Sequence, residues 1–159
     1  MIRAAVITVS DRSAAGERVD SSGPIAVAAL REAGFDCAEA VVVADGADSV
    51  ERALQAEIVA GVKLVVTTGG TGVGPRDETP EGTARVITRE IPGIAEALRR
   101  RGVSEKPAGM LTRGIAGVVD PHGALVVNLP GSTAGVSSGM PVLLSVARHV
   151  IDQLGGGDH

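Results

Sequence analysis

The sequence predicts an α/β protein of three layers, α-β-α, built on a mostly parallel, doubly wound sheet with a C-terminal hairpin adding an antiparallel strand. Three observations carry that expectation. Apolar runs alternate with amphipathic helical stretches in the order β-α-β-α-β over the first half of the chain, the rhythm of a parallel sheet covered on both faces. The first run is nearly continuous rather than alternating, as a strand buried on both faces must be. Near the C-terminus, two short apolar runs flank Asp120-Pro121-His122-Gly123, which reads as a hairpin.

Residues 2–9 are apolar apart from Arg3 and Thr8 and form a central strand. Ser10 to Gly16 breaks it. A helix follows from about Gly23-Pro24, with Ile25, Ala28, Ala29 and Ala33 on one face, and Gly34 ends it. Residues 38–43 supply the second strand, with Asp45-Gly46 as its exit turn. Asp48 or Ser49 opens the next helix, which carries Val50, Ala53, Leu54 and Ile58 and closes at Gly61. Residues 62–66 form the third strand and run into a glycine-rich stretch. Thr79 is expected to cap the helix beyond it, with Pro80 at the first helical position. Two short helices are expected at about residues 80–89 and 93–101, the second stopped by Gly102. The hairpin pairs residues 115–119 with 124–127 through a type I turn. The last helix carries Val142, Leu143, Val146, Ala147, Val150, Ile151 and Leu154 on one stripe, with Pro141 starting or restarting it. Residues 155–159 read as a frayed tail.

A chain of 159 residues with 44% apolar content is most economically one domain with a full core. Its net charge of −4 gives no basic footprint for nucleic acid or acidic lipid. One Phe, with no Trp or Tyr, leaves no platform for stacking single-stranded bases. Neither nucleic acid nor a membrane is expected as a partner. Cys37 stands alone, so it forms no intrachain disulfide and reads as a small buried residue in a reducing compartment. The N-terminus has no signal-peptide layout and no apolar run approaches bilayer length, so a cytoplasmic location is expected.

The most informative stretch runs from Thr67 to Glu81. Gly69, Gly70, Gly72 and Gly74 lie between a strand and a helix start, where backbone N–H groups converge and no large side chain blocks an anion. Arg76 and Asp77 follow in the same turn, one suited to phosphate charge and the other to a metal or a proton. Neither common nucleotide fingerprint fits. Gly69 and Gly74 have P-loop spacing, but Pro75-Arg76 stands where Lys and Ser or Thr are needed. Gly70 and Gly72 begin a dinucleotide pattern whose third glycine would fall on Pro75. The plain alternative, a tight βα connection shaped by glycine, explains the glycines but not the adjacent acid and base.

Ligands of open α/β sheets bind outside the carboxyl ends of the strands. That rule selects Ser10 to Ser13, Asp45-Gly46, Gly69 to Thr79, and Asn128 to Ser132 as one rim. Its mixture of carboxylates, arginines and exposed backbone suits a phosphorylated ligand with a divalent cation. Asp45 is equally readable as the turn-shaping Asp before Gly46, and Asn128 as a residue that satisfies the turn after the hairpin. Arg99-Arg100-Arg101 reads as a solvated helix end. His122, His149 and His159 have no metal-ligand spacing, and no Ser-His-Asp set can be argued.

Thr8-Val9-Ser10-Asp11-Arg12, Gly69-Gly70-Thr71-Gly72 with Pro75 to Glu81, Leu111-Thr112-Arg113, and Asn128-Leu129-Pro130-Gly131-Ser132 occur in this order. In them the chain resembles the Mog/MoaB molybdopterin adenylyltransferases, related to the G domains of gephyrin and of plant molybdenum-cofactor proteins. The likeness runs from about residue 2 to 154, as a single molybdopterin-binding domain. It implies molybdenum cofactor biosynthesis by transfer of AMP from Mg-ATP to the terminal phosphate of molybdopterin, with release of pyrophosphate. By that likeness Asp45 and Asp77 are catalytic and hold Mg2+. Ser10, Asp11, Gly69, Gly70, Thr71, Gly72, Arg76, Thr112, Arg113, Asn128, Pro130, Gly131 and Ser132 bind substrate. Thr112 stands where the family pattern has Ser, keeping the hydroxyl and adding a methyl group. The resemblance also implies a homotrimer, or two trimers paired as a hexamer, and hand-over of product to a molybdate insertase. Three rivals stand beside it: a MoaB-like pterin or nucleotide binder with weak catalysis, a molybdate insertase, and a non-enzymatic scaffold. A freestanding chain of this length is not expected to be the insertase.

Overall fold

The structure, a computed structural model, describes residues 1–158. In chain order the elements are β1 (Arg3–Val9), α1 (Asp11–Ala14), α2 (Ser22–Glu32), β2 (Asp36–Cys37), β3 (Val41–Val43), α3 (Ala47–Val59), β4 (Leu64–Thr68), α4 (Thr79–Ala84), β5 (Arg89–Glu90) and α5 (Pro92–Glu105). A 3-10 helix (Pro107–Leu111), β6 (Ala116–Val119), β7 (Ala124–Leu129), α6 (Thr133–Leu144) and α7 (Ala147–Leu154) complete the described chain. The seven strands form one mixed sheet in the order β2-β1-β4-β7-β6-β5, with β3 beside β1 on the same edge as β2. β1 runs parallel to β2, β3 and β4, and β4 runs parallel to β7. β6 is antiparallel to both β7 and β5. The expected fold class is therefore the observed one.

Side chains alternate across the strands, so the sheet builds a core on each face. Ala4, Val6, Leu64, Val66, Leu125 and Val127 pack under α2, α5, α6 and α7, where Leu30, Ile94, Met140, Leu143 and Ala147 meet them. Ala5, Ile7, Val9, Val65 and Val126 face the opposite way, against Val50, Leu54 and Ile58 of α3. α3 earns its place through that i, i+4, i+8 stripe: all three residues are buried. Each such side chain, fully buried, contributes about 1.5–3 kcal/mol of apolar burial. The stripe therefore outweighs the weak helix propensity of its valine and isoleucine, which costs less than about 0.7 kcal/mol per residue.

Several local expectations are corrected. The second strand is broken: residues 38–40 bulge out between β2 and β3, which pair separately with β1. Thr79 is not a helix cap. Its hydroxyl donates to the Gly69 carbonyl at 2.9 Å and its N–H to the Gly70 carbonyl at 3.0 Å, so it latches the loop it was expected to follow. The helix of residues 80–89 is a turn and a half, ending at Ala84 before the edge strand β5. Gly102 stops nothing, because α5 runs on to Glu105. Gly109 lets the 3-10 segment touch the helix backbone there: a Cβ on Gly109 would lie 2.4 Å from the Gly102 carbonyl carbon. The hairpin turn is wider than type I, closed by the Gly123 N–H on the Val119 carbonyl at 2.9 Å. α6 starts eight residues before Pro141, at Thr133, and Pro141 lies inside it. The chain breaks at Ser145-Val146, just beyond the proline, and restarts as α7. Gly155 and Gly157 close α7 with N–H bonds to Ile151 and Asp152 carbonyls, at 3.1 and 2.9 Å. His159 lies outside the described residues.

Candidate functional site

All the parallel strands point their carboxyl ends to one edge, which brings Ser10, Asp45, Gly69 and Pro130 together. The closest approach there is between two backbones. Gly69, at φ +94, would place a Cβ 2.3 Å from the Val9 carbonyl oxygen and 3.9 Å from Gly131 Cα. Only glycine permits that conformation and that contact. A Cβ on Gly131 would lie 3.2 Å from Gly69 Cα. The two glycines pack against each other, and two pockets open at this end of the sheet.

One is a polar cleft of about 580 Å³. Of the expected site residues it is lined by Ser10, Asp45, Gly69, Gly70, Asp77, Gly131 and Ser132. The other is an apolar pocket of about 420 Å³ between α5, the 3-10 helix and α6, lined by Thr71, Gly72, Thr112, Asn128, Pro130 and Ser132 together with Leu98, Leu111 and Gly139. Ser132 touches both, and its hydroxyl accepts the Gly135 N–H at 3.0 Å as the cap of α6. The expected single rim is thus divided between two pockets.

Asp11, Arg76 and Arg113 line neither pocket and instead tie the loops to one another. Asp11 and Asp45 cap each other reciprocally: the Asp11 N–H donates to Asp45 Oδ2 at 2.8 Å, and the Asp45 N–H to Asp11 Oδ1 at 3.0 Å. Arg76 forks onto both oxygens of Asp11, at 3.0 and 3.1 Å, and reaches the Asp45 carbonyl at 2.9 Å. The Arg76 guanidinium holds the Asp11 carboxyl below the usual range. Asp45 moves the other way. Burial pushes its carboxyl up, and the negative charges of Asp11 and Asp77 add to that, against the pull of the Asp11 N–H. Asp77 accepts the Gly74 N–H on Oδ2 at 2.9 Å. Oδ1 of Asp45 and Oδ1 of Asp77 accept no hydrogen bond from the described residues, and both side chains line the polar cleft.

Asn128 is the most constrained of the expected binding residues. It is 3% exposed. Its amide donates to Thr67 Oγ1 at 2.9 Å and Thr83 Oγ1 at 3.0 Å, and its oxygen accepts the Ile115 N–H at 3.1 Å. Both N–H groups are therefore taken up inside the protein, joining β4, α4 and the hairpin below the site.

Sequence reasoning missed part of the lining of the cleft. Asp20 accepts the Thr8 hydroxyl at 2.7 Å and the Gly23 N–H at 3.0 Å, and Ser22 Oγ meets Thr68 Oγ1 at 3.1 Å. Thr8, Asp20, Ser22 and Thr68, with Ser13 and Arg18, also line the cleft. An acid followed by two serines and Gly-Pro, just ahead of a helical stripe, is a helix-entry pattern that could have located them.

The cleft's donor set bears on a divalent cation. Among the described residues no three His, Cys, Asp or Glu side chains converge as a metal cage. Two carboxylates with open oxygens do face one cleft, which suits a cation that keeps several waters and shares its shell with substrate phosphates, as Mg2+ does.

Comparison with known proteins identifies a family. The family described as the probable molybdopterin binding domain matches residues 5–149. A molybdenum cofactor biosynthesis bifunctional protein of Synechococcus elongatus is 43% identical over 156 residues, covering 98% of this chain and 48% of that protein. The chain thus spans about half the length of that relative. A molybdopterin adenylyltransferase of Pyrococcus furiosus is 37% identical over 149 residues, covering 92% of this chain and 87% of that one. Among solved structures, the molybdopterin biosynthesis Mog protein from Mycobacterium ulcerans superposes with a TM-score of 0.90 at 44% identity, covering 97% and 99% of the two chains. On the family match, on the relative of similar length and on the shared fold, the chain belongs to the molybdopterin-binding domain family.

Proposed function

We propose that the chain acts in molybdenum cofactor biosynthesis as a molybdopterin adenylyltransferase, moving AMP from Mg-ATP to the terminal phosphate of molybdopterin and releasing pyrophosphate. The observation that carries this reading is the pair of unlike pockets at one end of the sheet, with Ser132 lining both. A reaction that joins two ring-bearing phosphates needs two ring sites with a shared phosphate floor between them. The apolar pocket suits the adenine ring. The polar cleft, rich in hydroxyls, suits the hydrogen-bonding pterin. Relatives named molybdopterin adenylyltransferase in Pyrococcus furiosus and Haemophilus influenzae support the assignment.

The chemistry asks little of the protein beyond placement. A phosphate monoester is already anionic near neutral pH, so no enzyme base is needed to make it a nucleophile. Its oxygen attacks the α-phosphorus of ATP as the bond to the β-phosphate oxygen breaks, and pyrophosphate leaves. Catalysis is then alignment and charge neutralisation. Asp45 and Asp77 would hold Mg2+, which supplies neutralisation of the phosphate charge. The N–H groups of Gly70, Thr71 and Gly72, free of protein partners among the described residues, would hold phosphate oxygens. Asp11 and Arg76 would keep Asp45 in place.

Incubation with Mg-ATP and molybdopterin, followed by detection of adenylylated pterin and pyrophosphate, tests the reading. Absence of both products under conditions where ATP and pterin bind would replace it with the second one. That second reading, a MoaB-like binding protein with weak catalysis, draws on the Bacillus subtilis molybdenum cofactor biosynthesis protein B, 32% identical and covering 97% of this chain. A cytoplasmic homotrimer, paired or unpaired, and hand-over of product to a molybdate insertase belong to the same proposal. Sedimentation of a monomer at micromolar concentration would remove the trimer from it.

A further inference from the structure

The glycine loop has an unusual division of its hydrogen bonds. Its carbonyls are nearly all engaged. Gly69 and Gly70 accept from Thr79 at 2.9 and 3.0 Å, and Gly74 accepts the Asp77 N–H at 3.1 Å. Thr71, Gly72 and Asp77 accept from a single residue, Arg113, through its backbone N–H at 2.7 Å, its Nε at 2.8 Å and its Nη2 at 2.7 Å. The N–H groups of Gly70, Thr71, Gly72 and Val73 have no partner among the described residues. Carbonyls tied back and amides left open are what an anion-binding loop requires, since an outward carbonyl beside a phosphate would repel it.

Arg113 arrives at this loop from the other side of the sheet connection, and its far end is anchored too. Nη1 reaches Glu81 Oε2 at 2.7 Å and Nη2 reaches Glu81 Oε1 at 3.3 Å, in the first turn of α4. A guanidinium has five N–H donors in a fixed fork. Four hydrogen bonds, to Gly72, Asp77 and both oxygens of Glu81, occupy that fork, leaving little to offer a phosphate. We propose that Arg113 is a positioning residue rather than a substrate ligand: it braces the glycine loop against α4, sets the loop's polarity toward anions and fixes the backbone of Asp77. Lysine cannot replace it, because a single ammonium cannot span Gly72, Asp77 and Glu81 together.

The kinetic half of the test rests on the adenylyl-transfer reading, and the other half does not. In ligand-free protein, hydrogen exchange over residues 69–79 reads the brace directly. Arg113→Ala and Arg113→Lys should both speed exchange at the Gly74, Asp77 and Thr79 amides by about tenfold or more while exchange in β1 and β4 stays unchanged. In turnover, Arg113→Ala should lower kcat about 100-fold with KM for ATP and for molybdopterin within about threefold of wild type. Millimolar guanidinium should restore part of kcat to Arg113→Ala and none to Arg113→Lys. A rise in either KM with kcat preserved would make Arg113 a substrate ligand and overturn the proposal. Unchanged loop exchange in both variants would overturn it as well. If the wild-type protein makes no adenylylated pterin, the function fails, and the exchange measurement still decides the role of Arg113.

Discussion

The polar cleft and the apolar pocket share Ser132 but are assembled by different means. The cleft is made of loop ends: short segments that leave parallel strands and carry Ser10, Asp45, Gly69 and Gly131 to a common edge. The pocket is made of packed elements, with α5, the 3-10 helix and α6 leaving a gap that small residues keep open. At its floor, a Cβ on Gly139 would meet Leu129 at 3.1 Å and Leu98 at 3.3 Å. Polar chemistry is therefore placed by backbone connections, whereas ring-sized space is placed by helix packing. A substitution in the first should cost reaction rate, and one in the second should cost affinity.

Four experiments test that contrast. The largest effect is expected at Asp77. Asp77→Ala should reduce adenylyl transfer by about 10³-fold, the scale of losing a main electrostatic contact in a transition state, with circular dichroism unchanged. Normal turnover in that variant would separate the cleft from the chemistry.

Asn128 comes next, since it lines the apolar pocket and ties β4, α4 and the hairpin together. Asn128→Ala leaves the Ile115 N–H and the Thr67 and Thr83 hydroxyls without their partner. Thermal or urea unfolding should show a loss of about 2–3 kcal/mol, the cost of stranding buried polar groups. A change below a few tenths would mean that the network repairs itself.

On the pocket side, Ser138→Leu projects an apolar side chain into the space assigned to adenine. Calorimetry should find ATP bound on the order of tenfold more weakly, with molybdopterin affinity retained. Loss of pterin affinity instead would exchange the two ring assignments.

The smallest effect is a pH dependence. Asp45 has its carboxyl raised, chiefly by burial, so it stays protonated to higher pH than an ordinary aspartate. Cation binding needs the ionised form. Affinity for Mn2+ or Mg2+ should fall as pH drops through that raised value and level off above it. The stability sign is the reverse. A raised carboxyl in the folded state favours the protonated form, so ionising Asp45 lowers stability as pH rises from the ordinary aspartate range through its folded value. Asp11 is lowered by Arg76 and works oppositely. Its contribution is present above the ordinary aspartate range and is lost as pH falls through its folded value. In metal-free protein Asp45→Asn should therefore flatten the descending arm of the stability–pH curve, and Asp11→Asn the acid arm.

How far the sequence could be read follows the same division. β1, α2, α3 and the hairpin were legible because each carries a complete local signal: a continuous apolar run in β1, apolar periods closed by Gly34 and Gly61 in α2 and α3, and two apolar runs around a turn sequence in the hairpin. Their boundaries moved by only a few residues. The cleft's carboxylates and glycines were legible because strand ends gather at one edge of any parallel sheet. The apolar pocket was not. Gly102 reads locally as a helix stop, yet α5 continues through it because the 3-10 segment packs on that glycine. Thr79 reads locally as a cap, yet it is fully buried with its hydroxyl on Gly69, ten residues back. Asn128 reads as a rim residue and Arg113, by family likeness, as a substrate ligand, yet their hydrogen bonds run to Gly72, Asp77, Thr67 and Thr83 in distant segments.

The fold class, the family and the chemistry gathered at the strand ends are legible in the chain alone, because periodicity, glycine and motif order are local properties. The division of that chemistry between two unlike pockets, and the hydrogen bonds by which Arg76 and Arg113 join separate loops, exist only in the folded molecule. A guanidinium carries the same five donors in any sequence, and only the positions of carbonyls and carboxylates from other elements decide where they go.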